Sequence, residues 1–127
     1  MKQKIQYQVH YTKVGRLSAT VAKQIRKKAA DIYVDENHVK HIFNRHSGQL
    51  KEIGFTPLVF LEVVMSGYNR IYKGNGQSLL LAKWNGVPKI AAIEMNFALK
   101  KEFYEVKTAF IKAKEKFKEE DLLWQKK

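Results

Sequence analysis

SLLLAKWNGVPKIAAIEMNF, residues 78–97, decides the fold class. Asn85-Gly86 sits between two apolar runs, and this dipeptide suits the left-handed turn of a tight β-hairpin. Ser78 to Trp84 and Lys89 to Phe97 therefore read as two antiparallel strands. Pairing Trp84 with Val87 puts Leu80, Ala82, Trp84, Ala91, Ile93, Met95 and Phe97 on one face. Leu79, Leu81, Lys83, Ile90, Ala92, Glu94 and Asn96 fall on the other. Both faces are largely apolar, so the hairpin is expected at the centre of a sheet and covered on both sides.

Further strands are expected outward from this hairpin, at Arg70 to Lys73 and at Phe103 to Phe110. Upstream, GFTPLVFLEVVMSG carries Thr56 as a helix cap and Pro57 at the first helical position, with Ser66 and Gly67 as the stop. Asp35 is placed to cap a helix from Glu36 to about His46, with Gly48 beyond it. Asp31 to Val34 reads as short and extended. Ser18 caps an amphipathic helix expected to run through Ala30, with Lys23, Arg26 and Lys27 on its outer stripe. Ile5 to Tyr11 alternates with period two and reads as a half-buried strand that Gly15 breaks. Residues 112–127 are rich in Lys and Glu and read as an exposed helix anchored by Phe117 and Trp124. The expected architecture is α+β in one domain, residues 1–127. N-terminal helices pack on an antiparallel meander of about four strands, with a core over 31–112 and a C-terminal helix over 113–127.

Composition narrows the function classes. At 127 residues and 45% hydrophobic, the chain can fill one modest core, which argues against disorder. No apolar run approaches the roughly 20 residues that span a bilayer, so no membrane partner is expected. The N-terminal stretch lacks the apolar block of a signal peptide, and a start in the cytosol is expected. There are no cysteines, which excludes disulfides and thiolate chemistry. The net charge of +12 favours an anionic partner, nucleic acid first.

The richest stretch for chemistry is DIYVDENHVKHIFNRHSG, residues 31–48, which holds three of the four histidines. His41 and Arg45 are one helical turn apart. A guanidinium beside an imidazole favours its neutral, basic form. His46 falls with the apolar residues and reads as a helix anchor. The alternative for the whole stretch is a surface helix with incidental histidines. His38 and His41 could chelate, but no carboxylate sits at ligand spacing on that face, so no metal site is expected. Lys83 either snorkels past its strand end or points into a cleft, where its charge would stabilise a phosphorane-like transition state. Thr108 either satisfies strand propensity or offers a hydroxyl to phosphate, with Lys107 on the opposite side of its strand. Tyr68, Arg70, Tyr72 and Lys73 interleave aromatics and cations, which suits base stacking and phosphate contact as well as the protection of a strand edge. KGNGQ, residues 73–77, is a turn; it lacks the lysine-hydroxyl ending of a phosphate-binding loop.

A helix carrying H-I-x-x-R-H (His41, Ile42, Arg45, His46), followed by strands ending in V-x-T-A-aromatic (Val106, Thr108, Ala109, Phe110), resembles the barnase–EndoU–colicin–RelE-like nuclease superfamily. The versions in phages, mobile elements and polymorphic toxins are the most similar, and the resemblance covers about residues 31–112. It implies a metal-independent endoribonuclease without cofactor, in which the ribose 2′-hydroxyl attacks the adjacent phosphate. On that pattern His41 is the acid or base, and Arg45 and Lys83 clamp phosphate. Thr108 donates a hydrogen bond, and His46 is a second catalytic group or an anchor. Arg70, Tyr72 and Lys107 are the remaining expected RNA contacts. Glu94 and Glu105 are the candidates for a second acid–base group. The implied partners are RNA, tRNA or mRNA among them, and an antitoxin or immunity protein. The implied setting is the cytoplasm, or a target cell into which a toxin is delivered. The alternative is a non-catalytic basic module that binds RNA or DNA.

Overall fold

The computed structural model describes residues 10–42 and 56–127, and they form an α+β arrangement around a seven-stranded mixed sheet. In chain order the elements are β1 (Tyr11–Leu17), α1 (Ala19–Gln24), β2 (Ala30–Asp35), α2 (from 36 through 42), α3 (Pro57–Gly67), β3 (Arg70–Lys73), β4 (Leu79–Lys83), β5 (Lys89–Ala98), β6 (Phe103–Ala113) and β7 (Leu122–Gln125). The strand order is β1-β2-β6-β5-β4-β3-β7. The β2–β6 pair is parallel, and the other described pairs are antiparallel.

The expected meander is present as β3 to β6, and three further strands extend it. β1 runs straight through Gly15, where a break was expected, with only a register irregularity between Lys13 and Gly15. A Cβ at Gly15 would meet Met65 Cε of α3 at 2.5 Å, so this glycine lets the helix lie close on the strand. Residues 5–9 of the expected N-terminal strand lie outside the described residues. Ser18 caps α1, accepting from the Val21 amide at 3.2 Å. The helix then stops at Gln24, not Ala30, and Arg26 turns the chain at φ 59°. Ala30, Ile32 and Val34 are drawn instead into the sheet as the buried side of β2. Asp35 Oδ1 accepts the His38 amide at 2.7 Å and starts α2. Thr56 Oγ1 accepts the Val59 amide at 3.3 Å, and Pro57 opens α3 as expected.

The expected pairing of Trp84 with Val87 is replaced by a longer loop over residues 84–88. Lys83 pairs with Ala91, Ala82 with Ala92 and Leu81 with Ile93. Two features explain the shift. Pro88 has no amide to give a ladder. The Trp84 backbone is claimed elsewhere: its amide donates to Asn69 Oδ1 at 3.0 Å, and its carbonyl accepts from Asn69 Nδ2 at 2.7 Å. Gly86 still supplies the left-handed conformation, at φ 82°. The offset from the expected register is odd, so the expected face assignments of the two strands are exchanged relative to each other.

Both faces of the sheet are covered at its centre. On one, α1, α2 and α3 contribute Ala22, Ile42, Phe60, Leu61 and Val64 to a core with Ile32, Ile71, Leu81, Ile93, Met95 and Val106. On the other, Tyr72, Ala82, Ile90, Ala92 and Phe110 pack with Phe117. Residues 113–127 are not a helix. Two short 3-10 turns, Lys114–Lys116 and Glu119–Asp121, cross the second face, and β7 then pairs with β3. Phe117 and Trp124 both anchor the segment, but on opposite faces. Phe117 lies 5.2 Å from the Tyr72 ring, while Trp124 packs on the helix-side core 5.7 Å from Tyr68. A helix would have left the hydrogen-bonding groups along the outer edge of β3 unpaired. No helix among the described residues is long and apolar enough to cross a membrane.

Candidate nucleic-acid interface

Strand alternation and the cross-strand register bring the relevant side chains to the face opposite the helices. Glu94 of β5 pairs with Thr108 of β6 and with Leu80 of β4. Its neighbours in the same alternation, Ala92 and Phe110, belong to the second core, so Glu94 and Thr108 share that face. Ser78 is buried, and its hydroxyl lies 2.8 Å from Glu94 Oε2 and 2.9 Å from the Asn75 carbonyl. Glu94 opens into a groove of about 360 Å³ lined by Lys73, Asn75, Leu80, Phe110, Lys112 and Asp121. An adjoining hollow of about 220 Å³ shares Lys73 and Lys112 and adds Lys116 and Lys118. The result is a lysine-rimmed trough with Glu94 at one end and Asp121 also on its lining. Thr108, the register partner of Glu94, has a buried Oγ1 without a hydrogen-bond partner among the described residues.

A second feature continues the face toward β1. Tyr33 and Phe103 ring centroids lie 4.6 Å apart, and Tyr11 lies 5.3 Å from Phe103. These rings are half-buried. Lys101 lies 4.8 Å from the Tyr11 ring centroid. Glu105 is clamped below them: Tyr11 Oη donates to its Oε2 at 2.8 Å, Lys101 Nζ does so at 3.0 Å, and Lys107 Nζ lies 3.8 Å from Oε1. Burial opposes ionisation of Glu105. The hydrogen bonds from Lys101 and Tyr11 and the charges of Lys101 and Lys107 outweigh it, and the carboxyl titrates below the ordinary glutamate value.

The residues expected to form a site separate into groups. Lys83 lies on the helix side, its chain so close to α3 that a Cβ at Gly67 would meet its Cε at 2.6 Å. Thr108 lies on the opposite side, so these two do not meet. His41 stands on α2, whose Ile42 is buried in the helix-side core, and His41 does not line the trough. His38 is engaged with Asp35 at 2.9 Å. Arg45 and His46 lie outside the described residues. Arg70 is buried, donates to Tyr72 Oη at 2.7 Å and lies 4.5 Å from the Trp84 ring centroid. The Tyr72 ring is buried against Phe117, so it is not free for base stacking. Lys107 is half-exposed beside the aromatic trio.

What the structure assembles, and sequence spacing did not, is Glu94 with Ser78, Thr108, Lys73 and Lys112. The signal that could have found this group is the register of the 79–98 hairpin, read with Pro88 as a break in the ladder. Among the described residues, no group of three or more His, Asp or Glu is placed to hold a metal ion. Comparison with family models, with curated proteins and with solved structures gives no match for this chain.

Proposed function

We propose that this protein binds RNA along the face of its sheet opposite the helices and cleaves it without metal, in a reaction centred on Glu94 and not on His41. The observation that carries this reading is the Glu94 carboxylate, hydrogen-bonded by Ser78, in a trough that Lys73, Lys112, Lys116 and Lys118 line together with Asp121. Lysines on one face supply the sequence-independent attraction for a phosphate backbone. The half-buried rings of Tyr11, Tyr33 and Phe103 give bases a stacking platform on the same face.

In this reading the Glu94 carboxylate takes the proton of a ribose 2′-hydroxyl. O2′ then attacks the adjacent phosphorus, and the bond from phosphorus to the 5′-oxygen breaks. The departing oxygen takes a proton from a trough ammonium, Lys73 or Lys112. The lysines stabilise the charge that develops on the phosphate oxygens. The products are a 2′,3′-cyclic phosphate and a 5′-hydroxyl. An acidic inhibitor protein would find the same lysines complementary.

The test is cleavage of single-stranded RNA in EDTA with analysis of the ends. Wild type should leave cyclic phosphates. Glu94→Gln should lose about a hundredfold or more in rate, the usual scale for a general base. His41→Ala should retain activity. One observation favours the alternative of a non-catalytic nucleic-acid-binding module: among the described residues, no imidazole lines the trough. That alternative would give salt-sensitive RNA binding with intact RNA ends, and wild type without cyclic phosphates would overturn the catalytic reading.

A further inference from the structure

Beside the trough, the C-terminal segment places a carboxylate on a second cationic position. The Arg70 side chain is only 10% exposed, and its Nη1 donates to Glu119 Oε2 at 3.1 Å. Lys114 Nζ reaches the same oxygen at 3.4 Å. Both cations lie over Trp84, at 4.5 Å for Arg70 and 5.1 Å for Lys114. Three facts distinguish this cluster from an ordinary surface pair.

First, the receiving side is held in place. Tyr72 Oη fixes the guanidinium, Asn69 binds the Trp84 backbone at both its amide and its carbonyl, and Trp84 Nε1 donates to the Val87 carbonyl at 2.6 Å. Second, the anion is loosely held. The Glu119 side chain is 63% exposed, on a three-residue turn without a side-chain cap. Third, a buried guanidinium needs a counter-ion, and leaving it unpaired is costly. Exchange of one oxyanion for another avoids that cost, whereas simple departure of Glu119 does not.

We infer that Arg70, Lys114 and Trp84 form a phosphate-binding site that Glu119 occupies as an exchangeable internal substitute. The ligand is a phosphodiester group of a single-stranded nucleic acid, and this identity rests on the reading of the face opposite the helices as an RNA surface. Tyr72 touches Arg70 and also lines the trough, so the site extends the trough by a further phosphate position. Glu119 then raises the threshold for binding: a strand of several phosphates displaces it, and a single free phosphate competes poorly.

The experiment uses the full chain with Trp124→Phe, so that Trp84 is the only indole and its fluorescence reports the site. The probes are inorganic phosphate and a short single-stranded DNA, which has phosphodiesters but no 2′-hydroxyl to cleave. Glu119→Gln removes one charge at the cations and should bind both probes about fivefold more tightly at low salt. Lys114→Gln should weaken both by a similar factor. Unchanged or weaker binding by Glu119→Gln, in a variant that melts like the parent, overturns the site. The result is separable from cleavage. A tighter Glu119→Gln in a protein that leaves RNA intact keeps this site and removes the catalytic reading. Loss of cleavage in Glu94→Gln with no effect at Glu119 does the reverse.

Discussion

Glu94 and Glu105 lie two strand positions apart on the same face of the sheet, register partners of Thr108 and Asn96, yet their surroundings differ in kind. Glu105 is held by Tyr11, Lys101 and Lys107, which satisfy its charge and tie β1 to β6. Glu94 has one hydrogen bond, from Ser78, and faces a trough with lysines on its rim. A carboxylate whose lone pairs are already taken stabilises the fold, whereas one with free lone pairs beside cations can accept a proton from a ligand. Position on the sheet does not distinguish the two carboxylates; the number of fixed donors does.

The sharpest way to break this contrast is to neutralise each carboxylate in turn. Glu94→Gln should lower RNA cleavage by about a hundredfold with little change in melting temperature. Glu105→Gln should leave cleavage within a few-fold of wild type. If the two variants lose activity equally, the contrast fails. Stability should respond the other way. Glu105→Gln loses charge-assisted hydrogen bonds and should cost about 1–2 kcal/mol in urea unfolding at neutral pH.

The pH dependence of that difference follows from the sign of the shift. Glu105 titrates below the ordinary glutamate value of 4.5 when folded. Its stabilisation is therefore present above that value and disappears as pH falls through the folded pKa. The gap between wild type and Glu105→Gln should close in acid, and a gap that widened below pH 4.5 would contradict the clamp. The smallest effect is expected at Thr108. Its hydroxyl is buried without a partner, so Thr108→Val should leave stability within about 1 kcal/mol or raise it, because no hydrogen bond is lost. RNA affinity should stay unchanged, because this buried hydroxyl lies outside the lining of the trough.

Local signals made much of the fold legible. Thr56-Pro57 opens α3, Asp35 caps α2, and the β3 to β6 run stands where its apolar patterning places it. The edges were not legible because they depend on distant partners. β2 joins β6 in parallel across more than seventy residues of chain, and β7 forms because β3 offers it an edge. The Lys–Glu texture of 112–127 suggests a helix to any local reading, and Phe117 and Trp124, needed on opposite faces, forbid one. The register of the hairpin decides whether Lys83 and Glu94 share a face. Asn85-Gly86 invites a two-residue turn, but Pro88 and the Asn69 side chain impose a five-residue loop, which takes Lys83 away from Glu94. The histidine cluster is visible from residue types alone, while the surroundings of Glu94 come from neighbours on β4 and β6.

The most direct test of the trough site is an amide chemical-shift map of the Glu94→Gln protein titrated with a short single-stranded RNA that it cannot cleave. Shifts should concentrate on Lys73, Ser78, position 94, Thr108 and Lys112, with α2 and Lys83 quiet. Shifts centred on His41 and Lys83, with the trough silent, would contradict it.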